Sequence, residues 1–305
     1  MYRFKRIVVS ITLGDQDEAK LRYTGMVSRL ASTETVYFLH VIGSSDGKEE
    51  TKNEYKGIQG VTGDAVHERM KELVAKYFEG SPETKQEYMI MEDAPLIHID
   101  LLRKFKDMDI DLLVLGKIRS ELTKRTIPAK IARKAPCSVL FIPEGMKPEF
   151  SNILVPIDFS EISRDALDIA LSLASAANLD TVRCINIYDV PSGYHKSGKS
   201  YEQFAEIMKG HAETHFAKFI ERINRRNITV SPVYKLGRSV CKAIDEYVRE
   251  HYVDLLIIGG RGRRSGAVFV LGSVTEKLID STSMPLLAVK KKGEGMTVFE
   301  ALMRL

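Results

Sequence analysis

At 305 residues the chain exceeds the size at which one hydrophobic core stops growing, about 250–300 residues, so two domains are expected. Apolar residues make up 44% and charged residues 28%, ordinary values for a folded soluble protein; they exclude wholesale disorder, and no apolar run approaches the ~20 residues of a membrane span. Net charge is 45 − 41 = +4, too small to mark a dedicated nucleic-acid binder.

Met1 to Leu13 reads MYRFKRIVVSITL, with a short apolar part and no small-residue cleavage site, so a secretory leader is not expected. From Arg6 the chain reads as an apolar run, a polar turn, a helical stretch and a second β-rich run. The segment from Asn152 repeats that pattern without gaps at an offset of 152 − 6 = 146. Further on, DLLVLG (Asp111 to Gly116) is echoed by DLLIIGG (Asp254 to Gly260). Such a period is too long for a solenoid and fits a duplicated domain. The expected division is 1–146, 150–292 and an amphipathic tail 293–305, with the seam in the polar stretch Glu144 to Ser151. Cys137, Cys184 and Cys241 are few and far apart and form no zinc-binding spacing. They read as reduced thiols in a cytoplasmic protein.

Each half reads as five strands alternating with four helices. In the second half the strands are Ile153–Ile157, Val182–Ile187, Thr229–Tyr234, Leu255–Gly259 and Leu286–Val289. They are short and β-branched with little alternation, the pattern of strands covered on both faces. The helices are Ser163–Ala177, Tyr201–Asn224, Ser239–His251 and Ser273–Thr282, with Ser160 or Ser163 as the first cap and Asn178 as a C-terminal stop. Strand–helix alternation implies parallel pairing, hence two tandem open α/β sandwiches of Rossmann-like type, each with a five-stranded parallel sheet flanked by helices. In such sheets ligands bind beyond the carboxyl ends of the strands.

Three loops at that edge of the second half carry chemistry. After the first strand, in ILVPIDFSE, Pro156 suits a strand end because it has no N–H for the ladder. Asp158, immediately after Ile157, is placed either to accept hydrogen bonds from a ribose or base, or to cap the next helix. After the fourth strand, Gly259, Gly262 and Gly272 stand in the spacing G-x2-G-x9-G, followed by Ser273, Val274 and Thr275 at the start of a helix. Glycines let backbone approach a ligand, and free N–H groups at a helix start hold phosphate, with the Ser273 and Thr275 hydroxyls and Arg261, Arg263 and Arg264 adding donors and charge. The third loop, Gly193 to Ser200 (GYHKSGKS), fits the P-loop expression. It is read as a coincidental lid from which Lys196 or Lys199 reaches a phosphate sideways, with a P-loop-like hydrolase as the alternative. His211 and His215 have the i, i+4 spacing of a metal pair, but a solvated helix face accounts for them and no metal site is expected.

Val155, Pro156, Asp158 and Ser160 after the first strand, with Gly259, Gly262, Gly272 and Ser273 after the fourth, resemble the universal stress protein family in its ATP-binding branch. The resemblance covers both halves as two copies and leaves only the tail. It implies a regulatory protein of the stress response that holds ATP, with or without magnesium, in its C-terminal half. It assigns Asp158 to adenosine, Ile187 and Ile258 to the base, and the glycine loop with Ser273, Val274 and Thr275 to the phosphates. No positioned general base is found, so hydrolysis, if any, is expected to be slow. A nucleotide-free scaffold acting by dimerisation is the remaining alternative.

The first half departs from this pattern. Ser10 and Thr12 stand opposite Pro156 and Asp158. Gly116 is followed by no second glycine, and Arg125-Thr126 falls where Gly-Ser is required, so no ATP is expected there. The fifth strands, near Ser138 to Ile142 and Leu286 to Val289, are edge strands on this reading and are expected to pair within one chain as a pseudo-dimer. A homodimer and a protein partner are left open, and the tail, where Met296, Phe299, Leu302 and Met303 share one helical face, is expected to dock on its own chain, with a partner as the alternative.

Overall fold

The computed structural model describes residues 4–43, 63–117, 127–260 and 271–291. The described residues divide into two compact units, the first ending at Pro148 and the second running Glu149–Lys291. The tail and Arg261 to Val270 lie outside the described residues, as do Arg125 and Thr126.

The first unit runs β1 (Arg6–Ser10), α1 (Gln16–Ala31), β2 (Thr35–Ile42), α2 (Gly63–Tyr77), β3 (Lys85–Glu92), α3 (Ile97–Asp107), β4 (Leu112–Lys117), α4 (Ile127–Lys134) and β5 (Ser138–Pro143). Its strands lie in the order β3-β2-β1-β4-β5, every pairing parallel. The second unit runs β6 (Ile153–Pro156), α5 (Glu161–Ala176), β7 (Thr181–Tyr188), α6 (Tyr201–Ile220), β8 (Thr229–Leu236), α7 (Val240–Glu250), β9 (Leu255–Gly259), α8 (Ser273–Ser281) and β10 (Leu286–Val289). Its order is β8-β7-β6-β9-β10, again all parallel. Each unit is therefore an open α/β sheet flanked by helices, as the alternation of elements implies.

Continuous apolar runs make the middle strands. Every residue of β9 (LLIIG) is buried, and α5 lays Ala166, Leu167, Ala170, Leu171 and Ala174 onto that layer. Each fully buried leucine or isoleucine contributes roughly 1.5–3 kcal/mol. Outlying β8 is half-exposed and carries Pro232, which a sheet tolerates only where a ladder donor is dispensable.

Several strand ends are fastened in the same way in both units. Asp111 Oδ2 accepts the Arg6 N–H at 2.9 Å, and Asp254 Oδ2 accepts the Asn152 N–H at 2.9 Å, so the echoed Asp-Leu-Leu segments anchor the first strand of each unit. At the opposite edge His40 Nδ1 meets the Ile11 carbonyl at 2.9 Å, and Asn186 Nδ2 donates to the Ile157 carbonyl at 2.9 Å. The turn beyond carries a bulky residue in the left-handed region in both units, Leu13 (φ 61°) and Phe159 (φ 63°). A bulky side chain at such an angle is strained and needs surrounding structure to hold it.

Some boundaries differ from expectation. Ser160, not Ser163, caps α5, its hydroxyl accepting the Ser163 N–H. The helix ends in a Schellman arrangement: Asn178 takes φ 56°, its N–H bonds Ser175 O, and the Leu179 N–H bonds Ala174 O. Helix α6 stops at Ile220, short of Asn224, and Arg226 and Asn227 turn the chain at positive φ before β8.

Gly25 in α1 shows how closely the elements approach. A Cβ there would lie 2.8–2.9 Å from the backbone of Glu79. Gly25→Ala is expected to cost about 1–3 kcal/mol despite alanine's better helix propensity, because backbone has to shift. Denaturant unfolding that shows no loss would contradict this packing.

Candidate functional site

The carboxyl edge of the second sheet collects the ends of β6, β7, β8 and β9. Strand β6 stops at Pro156, which pairs in register with Ile185, and the Ile157 N–H continues the bonding by donating to Ile185 O at 2.9 Å. Ile157 is buried, and its carbonyl is the one held by Asn186. The chain then leaves the sheet at Asp158, which is half-buried. One carboxylate oxygen, Oδ1, accepts the Ser160 N–H at 3.0 Å and the Ser160 hydroxyl at 2.5 Å. Asp158 is therefore not the helix cap; it shapes the turn that carries its own carboxylate to the sheet edge.

Ile187 is half-exposed at the end of β7, and Gly237, just past β8, brings the next loop against it: a Cβ at Gly237 would lie 3.5 Å from Ile187 Cγ2. Ile258 is buried in β9 beside this edge. Leu236 and Val240, about one-third exposed, extend the apolar surface around Gly237.

At the end of β9 the glycines have different reasons. A Cβ on Gly259 would come within 3.0 Å of Ile162 Cγ2 and 3.3 Å of the Ile162 backbone, so this glycine lets α5 close onto the strand. The Gly260 N–H bonds Val289 O at 2.7 Å, and the Gly272 N–H bonds Gly260 O at 2.6 Å, so the returning chain meets the strand it left. Gly272 is the N-cap of α8 with φ −65° and ψ 151°, a conformation open to any residue. Its bare backbone keeps the helix start clear, and no side chain caps that first turn. Ser273 is exposed and Val274 half-exposed at the mouth of this helix. Arg261 and Gly262 lie outside the described residues.

Thr275 departs from its expected role as a phosphate donor. It is 2% exposed and donates its hydroxyl hydrogen to Gly259 O at 3.0 Å, which ties α8 to the end of β9. That proton is not offered to a ligand; the backbone N–H groups of the first turn are what the helix presents. Cys241 on α7, whose thiol burial pushes up, contacts Val274 O at 3.7 Å and helps seat the same turn.

The P-loop-like segment folds differently from a phosphate cradle. Tyr194–Ser197 forms a 3-10 turn in which the N–H groups of Tyr194, Lys196 and Gly198 bond Pro191 O, Gly193 O and His195 O. Ser200 and Gln203 form a reciprocal capping box at the start of α6. The amides of Tyr194, Lys196, Gly198 and Ser200 are thus bonded within the segment or its cap, and Lys196 and Lys199 are exposed. On α6, His211 is exposed and His215 sets its ring edge against Phe159, 5.7 Å between centroids. Among the described residues no group of three or more His, Cys, Asp or Glu side chains is placed to hold a metal ion.

The signals not read from sequence are Asn186 and Gly237. Asn186 lies in an apolar strand, and its polarity amid buried neighbours was the available clue.

Residues 149–290 match the family model described as the universal stress protein family. The second unit is a universal stress protein domain. Universal stress proteins MJ0531 and MJ0577 of Methanocaldococcus jannaschii are 25% and 27% identical to this chain over 144 and 158 residues. Each match spans 47% of this chain, with 83% and 96% of the respective relative. A universal stress protein from Archaeoglobus fulgidus has the same fold along 95% of this chain and 98% of its own, with TM-score 0.64 and 16% identity. In this universal stress protein domain the segments that carry Asp158 and the Gly272 helix start follow the neighbouring parallel strands β6 and β9 at one sheet edge. No helix among the described residues is long and apolar enough to cross a membrane.

Proposed function

We propose that the chain is a tandem universal stress protein of the cytoplasm whose second unit holds one ATP as a regulatory ligand. The observation that carries this reading is the start of α8: a helix N-terminus with a glycine cap and no side-chain cap, tied by Thr275 and Gly260 to the end of β9. The positive end of the helix suits phosphates there. Asp158 is the acceptor for the ribose, and Ile187 and Ile258 offer apolar contact for the base. Arg261 and Gly262 complete the set from the sequence motif. If magnesium accompanies ATP, it is held through the phosphates, since the site supplies few carboxylates.

The ligand acts through occupancy and not turnover on this reading: Glu276, in the first turn of α8, complements the helix dipole and is not assigned as a base. Native mass spectrometry of the purified chain is expected to show the mass of an adenine nucleotide, released on denaturation. A nucleotide-free chain that also takes up no added ATP would support the scaffold alternative instead. We also propose that one chain supplies both halves of a domain pair. Sedimentation at micromolar concentration is then expected to show a species of one chain, 34.3 kDa; a dimer of chains at all dilutions would count against it.

A further inference from the structure

The carboxyl edge of the first unit holds a fully buried ion pair that the proposed function does not use. Asp17 and Lys20, in the first turns of α1, have side chains 0% and 1% exposed, with Oδ1 and Nζ 2.7 Å apart. The carboxylate sits in a niche made by the loop after β1. It accepts the Thr12 N–H at 3.0 and 3.1 Å, the Thr12 hydroxyl at 3.0 Å and the Leu13 N–H at 2.6 Å. Lys20 Nζ also donates to Ser10 O at 2.5 Å, the last carbonyl of β1. The consecutive amides of Thr12 and of the left-handed Leu13 form a concavity of the kind that binds anions. Here the anion is a side chain of the same unit.

The second unit has the same turn but not the same occupant. At the repeat offset, Asp17 and Lys20 correspond to Ser163 and Ala166. Ser163 donates its hydroxyl hydrogen to Ser160 O at 2.9 Å, and Ala166 has no group that reaches the strand end. Phe159 nevertheless repeats the left-handed geometry of Leu13.

We infer that the Asp17–Lys20 pair is a built-in occupant of the first unit, closing its β1 loop permanently and making that unit independent of any ligand. The carboxylate supplies the negative charge and the lysine neutralises it, so the loop after β1 is held whether or not nucleotide is present. The corresponding loop of the second unit, on the reading proposed above, is ordered further by ATP.

The test is amide hydrogen exchange on the full-length chain, with and without ATP. In the wild type the Thr12 and Leu13 amides are expected to exchange slowly and at the same rate in both conditions, while ATP slows the Asp158 and Phe159 amides by about tenfold or more. In Asp17→Ser/Lys20→Ala, which places the second unit's residues in the first, the Thr12 and Leu13 amides are expected to exchange roughly a hundredfold faster. The Ile11 amide, bonded to Leu39 O at 2.7 Å, serves as the internal reference and keeps its rate if the unit is folded. Fast exchange of Thr12 and Leu13 in the wild type, or unchanged protection in the folded double variant, overturns the inference. Should the double variant not fold, Asp17→Asn keeps the shape and is read the same way. Failure of ATP to bind would instead count against the proposed function, and the rates at Thr12 and Leu13 would still decide this inference.

Discussion

Gly272→Glu is expected to weaken ATP binding by about a hundredfold or more, close to 3 kcal/mol, with the fold retained. The reasons are local. Gly272 has an extended conformation that glutamate adopts without strain, and a carboxylate near the first turn of α8 favours the helix itself. The same carboxylate occupies the helix end that phosphates need and repels them at short range. Calorimetric titration of the variant, with its thermal unfolding beside the wild type, separates the two effects. Binding within a few-fold of wild type would remove the start of α8 from the site.

Asp17→Ala is expected to have the largest effect on stability, about 3–5 kcal/mol in the unfolding of the first unit. The substitution strands Lys20 without its counter-charge at 1% exposure and leaves the Thr12 and Leu13 amides without their acceptor. Burial already pushes the Lys20 ammonium below the usual lysine range, with Asp17 acting in the opposite sense. Without Asp17 the lysine is driven further toward its neutral form, which limits the loss but does not abolish it. The matching change in the second unit, Ser163→Ala, removes only neutral hydrogen bonds, the one to Ser160 O at 2.9 Å and a long one from Ser160 Oγ at 3.4 Å, and is expected to cost about 0.5–1.5 kcal/mol. Urea unfolding followed by probes in each unit checks the contrast; a cost for Asp17→Ala below about 1 kcal/mol would mean that the pair is hydrated.

The fold was legible because it rests on period and position. Short apolar runs separated by helical stretches allow little besides a parallel sheet, and β9 and β10 have the bounds read from the sequence. The glycine spacing located the start of α8, since a glycine immediately before a helix marks backbone that must stay clear. What the pattern could not show is which polar groups fold inward. Asp17 and Lys20 stand at i, i+3 on α1, a spacing that on most helices marks a solvated pair. Only the closing of the β1 loop over them makes them core. Thr275 misled for the opposite reason: a threonine at a helix start reads as a donor to ligand, but its neighbour across the turn is the Gly259 carbonyl. His40 and Asn186 share no chemistry by name, and their common task became visible only when the carbonyls of Ile11 and Ile157 were in place.

On the proposed function this chain has one nucleotide site, in its second unit. Equilibrium titration of the full-length chain with labelled ATP tests it most directly. Saturation at one ATP per chain is expected, unchanged by Arg125→Glu in the first unit. Two ATP bound per chain, or none, would contradict it.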